Sequence, residues 1–242
     1  RTKVGLITFL GFLIIVRSVP SPTQNVSRLT RKDRLDQNWL FKADDDPFAY
    51  KIDVDDRDWR LVNLPHDWSI EGSVSLDAPP GNDGGYFPTG VGWYRKRLFV
   101  DQKHQGRALS LYFEGVYMNA EVYVNGKLAG GRAYGYSAFE IDIASLVNYG
   151  QENIIAVKVD NSQQKNSRWY SGSGIYRHVY LLSTDKVHFE TWGAFVRTTA
   201  ASEDKGTIMI SSIVNNATNN TERVKLMYEI YDTKGKVVAK KI

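Results

Sequence analysis

From Asp33 onward, apolar and polar residues alternate with a period of two in short runs, and no stretch keeps the 3.6-residue period of an amphipathic helix. The runs predict strands at Gly92–Val100, Leu109–Val116, Ala120–Val124, Lys127–Ala129, Ala138–Ile143, Asn153–Asp160 and Ile175–Leu182. Asn125-Gly126 separates two of them and favours a type I′ turn, in which both central residues take positive φ, so a hairpin is expected there. Strands joined only by loops indicate an all-β sandwich. A second set follows at Val187–Thr198, Thr207–Asn215, Arg223–Asp232 and Val237–Ile242, with Lys234-Gly235 as a hairpin turn. These fall short of the roughly seven strands of an immunoglobulin-like sandwich, so they read as a partial one. The loops Leu76–Thr89 and Asn161–Ser173 are long for a compact domain, and long ordered loops usually carry function.

Composition narrows the chemistry. The 242 residues are 42% hydrophobic and 24% charged, the balance of a folded chain. They contain no Cys, which removes disulfides, thiolate metal sites and cysteine nucleophiles. Aromatic residues make up 12% of the chain and supply flat rigid faces for a core or a binding site.

The net charge of +4 is misleading, because residues 1–32 carry six basic residues and no acid. The remaining 210 residues hold 25 basic against 27 acidic side chains, so nucleic acid is not an expected partner. The same leader contains the 13-residue apolar run Val4–Val16 after a basic start. At about 1.5 Å per residue it reaches roughly 20 Å, short of a ~30 Å hydrocarbon core, so no membrane span is expected. It reads as a secretory signal and places the protein in the periplasm or outside the cell, with a retained amino-terminal anchor as the alternative. Domain boundaries follow as a signal-peptide-like leader and linker at 1–32, a first sandwich at 33–185 and a truncated second one at 186–242.

Generic catalytic signatures are missing. His66, His104, His178 and His188 sit at no metal-ligand spacing and read as surface or hydrogen-bonded residues. Gly172-Ser173-Gly174 is too short for a nucleophile elbow, and no phosphate-binding glycine pattern occurs. The acidic stretch Asp44–Asp58 lacks the glycine and terminal Glu of an EF-hand and reads as a solvated loop. Arg168-Trp169-Tyr170 stands out, because aromatic faces stack on the C–H faces of sugar rings while Arg and Asn supply directed donors. The chemistry alone leaves Trp169 equally readable as a plug at the end of the sandwich.

Five motifs in order carry a resemblance: Leu64-Pro65-His66-Asp67-Trp68, Gly92-Trp93-Tyr94-Arg95-Lys96, Phe113-Glu114-Gly115-Val116, Val122-Tyr123-Val124-Asn125-Gly126 and Ser171-Gly172-Ser173-Gly174-Ile175-Tyr176-Arg177. The series resembles the amino-terminal region of glycoside hydrolase family 2, especially β-galactosidases of the Bacteroides type, densely over 34–185 and loosely over 187–242. The resemblance implies a jelly-roll, galactose-binding-like sandwich, an immunoglobulin-like domain and then a catalytic barrel outside this sequence. Family members are retaining glycosidases whose acid/base and nucleophile carboxylates stand about 5–5.5 Å apart, both in the barrel, so no catalytic residue is assigned here.

By the same resemblance this region helps to shape the sugar site, with Asn82, Asp83, Asn166, Arg168 and Trp169 as candidate contacts. The partners implied are a carbohydrate substrate and the rest of the parent chain, with no cofactor. Related galactosidases use an Asp near the second loop to hold a sugar hydroxyl and a sodium ion. Here that stretch reads Asn166-Ser167-Arg168, and no metal ligand is assigned. Trp68 and Trp93 are expected in the core, Gly115 and Gly126 at turns, and Arg177 as a buried pairing residue on a strand. The alternative function is a stand-alone carbohydrate-binding module.

Overall fold

The computed structural model describes residues 2–3, 13–19, 31–203 and 205–242, and it divides into two compact units. One unit takes in the described residues 31–183, and the other joins residues 184–242 with the described residues 2–3 and 13–19. In chain order, β1 (Thr2–Lys3) and β2 (Leu13–Val19) belong to the latter.

The 31–183 unit is a two-sheet sandwich built from β3 (Arg31–Arg34), β4 (Trp39–Lys42), β5 (Arg60–Val62), β6 (Gly90–Val100), β7 (Ala108–Phe113), β8 (Ala120–Val124), β9 (Lys127–Arg132), β10 (Phe139–Asp142), β11 (Gln151–Asn161) and β12 (Val179–Thr184). One sheet has the order β10-β7-β12-β3 and the other β5-β4-β6-β11-β8-β9. Alternation along the strands decides what faces inward: Leu109, Leu111 and Phe113 of one sheet meet Tyr94, Ile155 and Val157 of the other in a shared core. The expected hairpin forms, with Asn125 at φ 50° and Gly126 at φ 77° between β8 and β9. Trp68 and Trp93 are buried as expected, at 7% and 2% exposure.

The outer face of the six-stranded sheet is also covered. Trp93 and Ala156 pack beneath Ala49 and Trp59 of the segment 43–59. Arg95, buried on that face, donates to Asp56 Oδ2 at 3.0 Å and to Ala49 O and Lys51 O at 2.7 and 2.9 Å. The acidic stretch expected to be solvated therefore includes a buried carboxylate, because Asp56 pairs with both Arg95 and Arg97. Arg177, expected to be the buried pairing arginine, is exposed. The strand it was placed on begins only at Val179, because the preceding residues turn away to meet Leu64–Trp68. Gly115 is likewise no positive-φ turn: it lies under Tyr176, where a Cβ would stand 2.6 Å from the ring.

In the other unit, β13 (Val187–Ala201), β14 (Gly206–Asn216), β15 (Lys225–Tyr231) and β16 (Val237–Lys241) follow the second set of alternating runs. β14 pairs with β13 and β1, and β15 with β16 and β2. Among the described residues its core holds Ile208, Ile210, Tyr228 and Ile230. Among the described residues, no helix is long and apolar enough to cross a membrane.

Candidate functional site

The carboxyl end of the loop 161–173 is tied to Leu64–Trp68. His66 N donates to Ile175 O at 2.9 Å, and Trp68 N donates to Ser173 O at 3.0 Å. Gly174 makes this approach possible: it sits at φ 136°, and a Cβ there would lie 2.4 Å from His66 O and 2.5 Å from the Tyr94 hydroxyl. Asp67 holds the loop as well. Its Oδ1 accepts from Ser69 N at 3.0 Å and Ser173 N at 2.9 Å, and its Oδ2 accepts from the Tyr170 hydroxyl. Burial and that carboxylate push the Tyr170 pKa well above the ordinary phenol value, so Tyr170 stays a donor.

Asn161, 1% exposed, ties the other end. Its Nδ2 donates to Gly172 O at 2.9 Å and Ser173 Oγ at 2.8 Å, while its Oδ1 accepts from Gln164 Nε2 at 2.9 Å and Asn166 Nδ2 at 2.7 Å.

Between these ties the loop crest is exposed and leans on the first loop. Tyr170 meets Phe87 edge-on at 5.0 Å, and Lys165 Nζ pairs with Asp83 Oδ2 at 3.3 Å. The two loops bound a shallow open cleft with Phe87, Trp169 and Tyr170 as aromatic walls and Asn161, Gln164 and Ser167 as polar ones. Such a mixture suits a polyol ring, which has apolar faces and a polar rim.

Of the five residues predicted from sequence, Trp169 lines the cleft directly. It is 63% exposed, which excludes the plug reading, and its Nε1 donates to the Tyr136 hydroxyl at 3.3 Å. Asn82 and Asp83 occupy a short 3-10 turn, Gly81–Gly84, between the lining residues Pro80 and Gly84. Asn82 is exposed and Asp83 is held by Lys165. Asn166 and Arg168 flank Ser167. The Asn166 amide is engaged, accepting from the Tyr117 hydroxyl at 3.3 Å in addition to its bond to Asn161. Arg168 is exposed and pairs with no described acid.

This donor set does not fit a cation. The Asp83 carboxylate is neutralised by Lys165, the Asn166 oxygen is taken, and Arg168 adds uncompensated positive charge. Sequence reasoning singled out Tyr170 with Trp169 but missed Asp67 and Tyr136 as parts of the site. The one available signal was the Tyr134-Gly135-Tyr136 spacing in a polar loop.

The sequence model described as "Glycosyl hydrolases family 2, sugar binding domain" matches residues 33–185. A β-galactosidase of Bacteroides ovatus is 40% identical over 215 residues, which cover 88% of this chain and 25% of that protein. A β-glucuronidase of Bacteroides fragilis is 33% identical over 187 residues, covering 75% of this chain and 24% of that one. Among solved structures, a glycosyl hydrolase family 2 member from Bacteroides cellulosilyticus matches with a TM-score of 0.76 at 41% identity, over 87% of this chain and 28% of the other. The chain thus spans about a quarter of the length of these relatives.

Proposed function

The chain belongs to the sugar-binding domain family of glycosyl hydrolases family 2, and from that premise we propose that it is the non-catalytic region of a longer, β-galactosidase-like retaining glycosidase. The observation that carries the proposal is the cleft itself. Trp169 stands exposed over it on a loop whose two ends are fixed, so an aromatic face is held ready for a sugar ring. Trp169 is the stacking surface, Asn82 and Arg168 supply free donors, and Asp83 and Asn166 hold the two loop crests in place. The 33–185 sandwich is a jelly roll in this reading, and residues 186–242 open an immunoglobulin-like domain.

Bond cleavage is assigned to carboxylates outside residues 33–242. The 242-residue chain should therefore hydrolyse neither p-nitrophenyl β-galactoside nor the β-glucuronide, whereas the full-length glycosidase hydrolyses one of them. Turnover by the chain itself, lost on replacing one of its own Asp or Glu residues, would overturn the assignment. Export is part of the same proposal and rests on the basic start and apolar run of the leader. In the structure, Leu13–Val19 pairs with Lys225–Tyr231, an arrangement open only to the uncleaved chain. Secreted protein beginning between Arg17 and Asp33 supports export with cleavage, and secreted protein beginning at Arg1 refutes it.

A further inference from the structure

We infer that the loop 132–137 carries a second sugar subsite, in which Tyr134 and Tyr136 form a stacking surface for the pyranose ring next to the one at Trp169. The inference rests on the reading of the Trp169 cleft as a sugar site and extends its ligand from a single sugar to an oligosaccharide. Tyr134 and Tyr136 are 60% and 48% exposed, although large aromatic rings are mostly buried in folded chains.

Both rings are nevertheless held in place. Tyr136 stands edge-on to Tyr117 at 5.1 Å and to Tyr134 at 5.8 Å. Beneath them the backbone is fixed, since Gly135 O accepts from the Tyr176 hydroxyl at 2.7 Å. Gly135 also lies flat on Tyr117, where a Cβ would come within 2.3 Å of the ring. Arg132 Nε closes the loop by donating to Ser137 Oγ at 3.0 Å. A ring already held in its binding position loses little freedom when a ligand arrives.

Continuity with the cleft identifies the occupant. The Trp169 Nε1–Tyr136 hydroxyl bond of 3.3 Å joins the two surfaces edge to edge, so a chain whose end lies on Trp169 runs onto the tyrosines. The planes of Tyr134 and Tyr136 are inclined by 65°, which presents separate turned faces and no single flat sheet. Successive pyranose rings of a glycan are also turned against each other, whereas a planar polyaromatic ligand would need coplanar faces. Arg168, unpaired beside Trp169, supplies donors for hydroxyl and ring oxygens along the same edge.

The test is a titration of the 242-residue chain, followed by NMR, with methyl β-galactoside and β-1,4-galactotriose and in parallel with the corresponding glucuronides. The trisaccharide should bind more tightly than the monosaccharide. Tyr134→Ala should remove about two- to tenfold of that gain, as expected for one lost aromatic contact, and leave monosaccharide binding and Tm unchanged. Tyr134→Phe should restore the gain. Equal affinity for mono- and trisaccharide, or a Tyr134→Ala chain with the full gain, overturns the second subsite while leaving the Trp169 cleft standing. Binding of no probe by the wild-type chain overturns both readings. Self-association that Tyr134→Ala abolishes would give the surface to a second copy and likewise overturn the sugar assignment.

Discussion

The ends and the crest of the loop 161–173 are built on opposite terms. At the ends, Asn161 and Ser173 are 1% and 0% exposed, and their polar atoms are bonded to backbone and to each other. On the crest, Lys165, Asn166, Arg168, Trp169 and Tyr170 are exposed. The difference shows how an aromatic ring can be presented without being buried: the loop's order comes from its ends and from Asp67, so the crest residues need no core contacts of their own. Substitutions at the ends should act on folding, and substitutions on the crest should act on ligand binding.

The strongest way to break this division is Gly174→Ala. A Cβ at φ 136° would crowd His66 O and the Tyr94 hydroxyl, both part of the packed interior. Overpacking of this kind typically costs about 1–3 kcal/mol, with about 1–2 kcal/mol more for a side chain in an unfavoured backbone region. Urea denaturation should register a loss of that combined size, and an unchanged midpoint would show that the loop is not held through this contact. Next in size is Asn161→Ala, which leaves Gly172 O and Ser173 Oγ without their donor and releases Gln164 and Asn166. A lost buried amide costs about 1–3 kcal/mol, and amide exchange across 163–170 should accelerate with it.

These two positions also show what could be read from sequence. The Asn125-Gly126 hairpin was legible because turn and flanking strands are neighbours in the chain. The long strand β6 was legible over Gly92–Val100 for the same reason, and the structure extends it to Gly90. The short strands β4 and β5, of 4 and 3 residues, gave too little periodicity to register. Arg177 and Arg95 were told apart only in three dimensions, since Asp56 lies 39 residues from Arg95. The importance of Asp67 was hidden likewise, because its partners Tyr170 and Ser173 are 103 and 106 residues away. Residues 76–89 and 161–173 could be flagged as functional from their length, but their meeting at Phe87–Tyr170 and Asp83–Lys165 could not.

A smaller effect tests the anchor through pH. His66 Nδ1 lies 2.6 Å from the Tyr94 hydroxyl and Nε2 faces Arg60 and Glu71, and burial lowers its pKa below the ordinary 6.5 despite the pull of Glu71. The unfolded chain therefore binds a proton more readily than the folded one. Stability from this group is complete above about pH 6.5 and is lost as pH falls through the lowered folded value. Denaturation midpoints should decline over that window before the carboxylates titrate, and His66→Gln should flatten the decline. A wild-type curve that is flat through that window would show that His66 carries no such linkage.

Trp169→Ala should have the smallest effect on folding and is the sharpest test of the crest. Truncating a buried Trp typically costs about 3–5 kcal/mol, but this ring is 63% exposed and its recorded hydrogen bond is to Tyr136 on the surface. The stability change should therefore stay within about 0.5 kcal/mol, the range of ordinary surface substitutions. Binding should respond instead, since an aromatic platform contributes on the order of 1 kcal/mol, roughly fivefold in affinity. In the full-length glycosidase the loss should enter KM if the sugar is held alike in ground and transition states, and kcat as well if the contact tightens during the reaction. Trp169→Phe, which keeps a flat face but loses the Nε1 donor, should recover most of the binding. A melting temperature that falls while kcat/KM holds would move Trp169 from the crest to the scaffold and erase the division between the two regions.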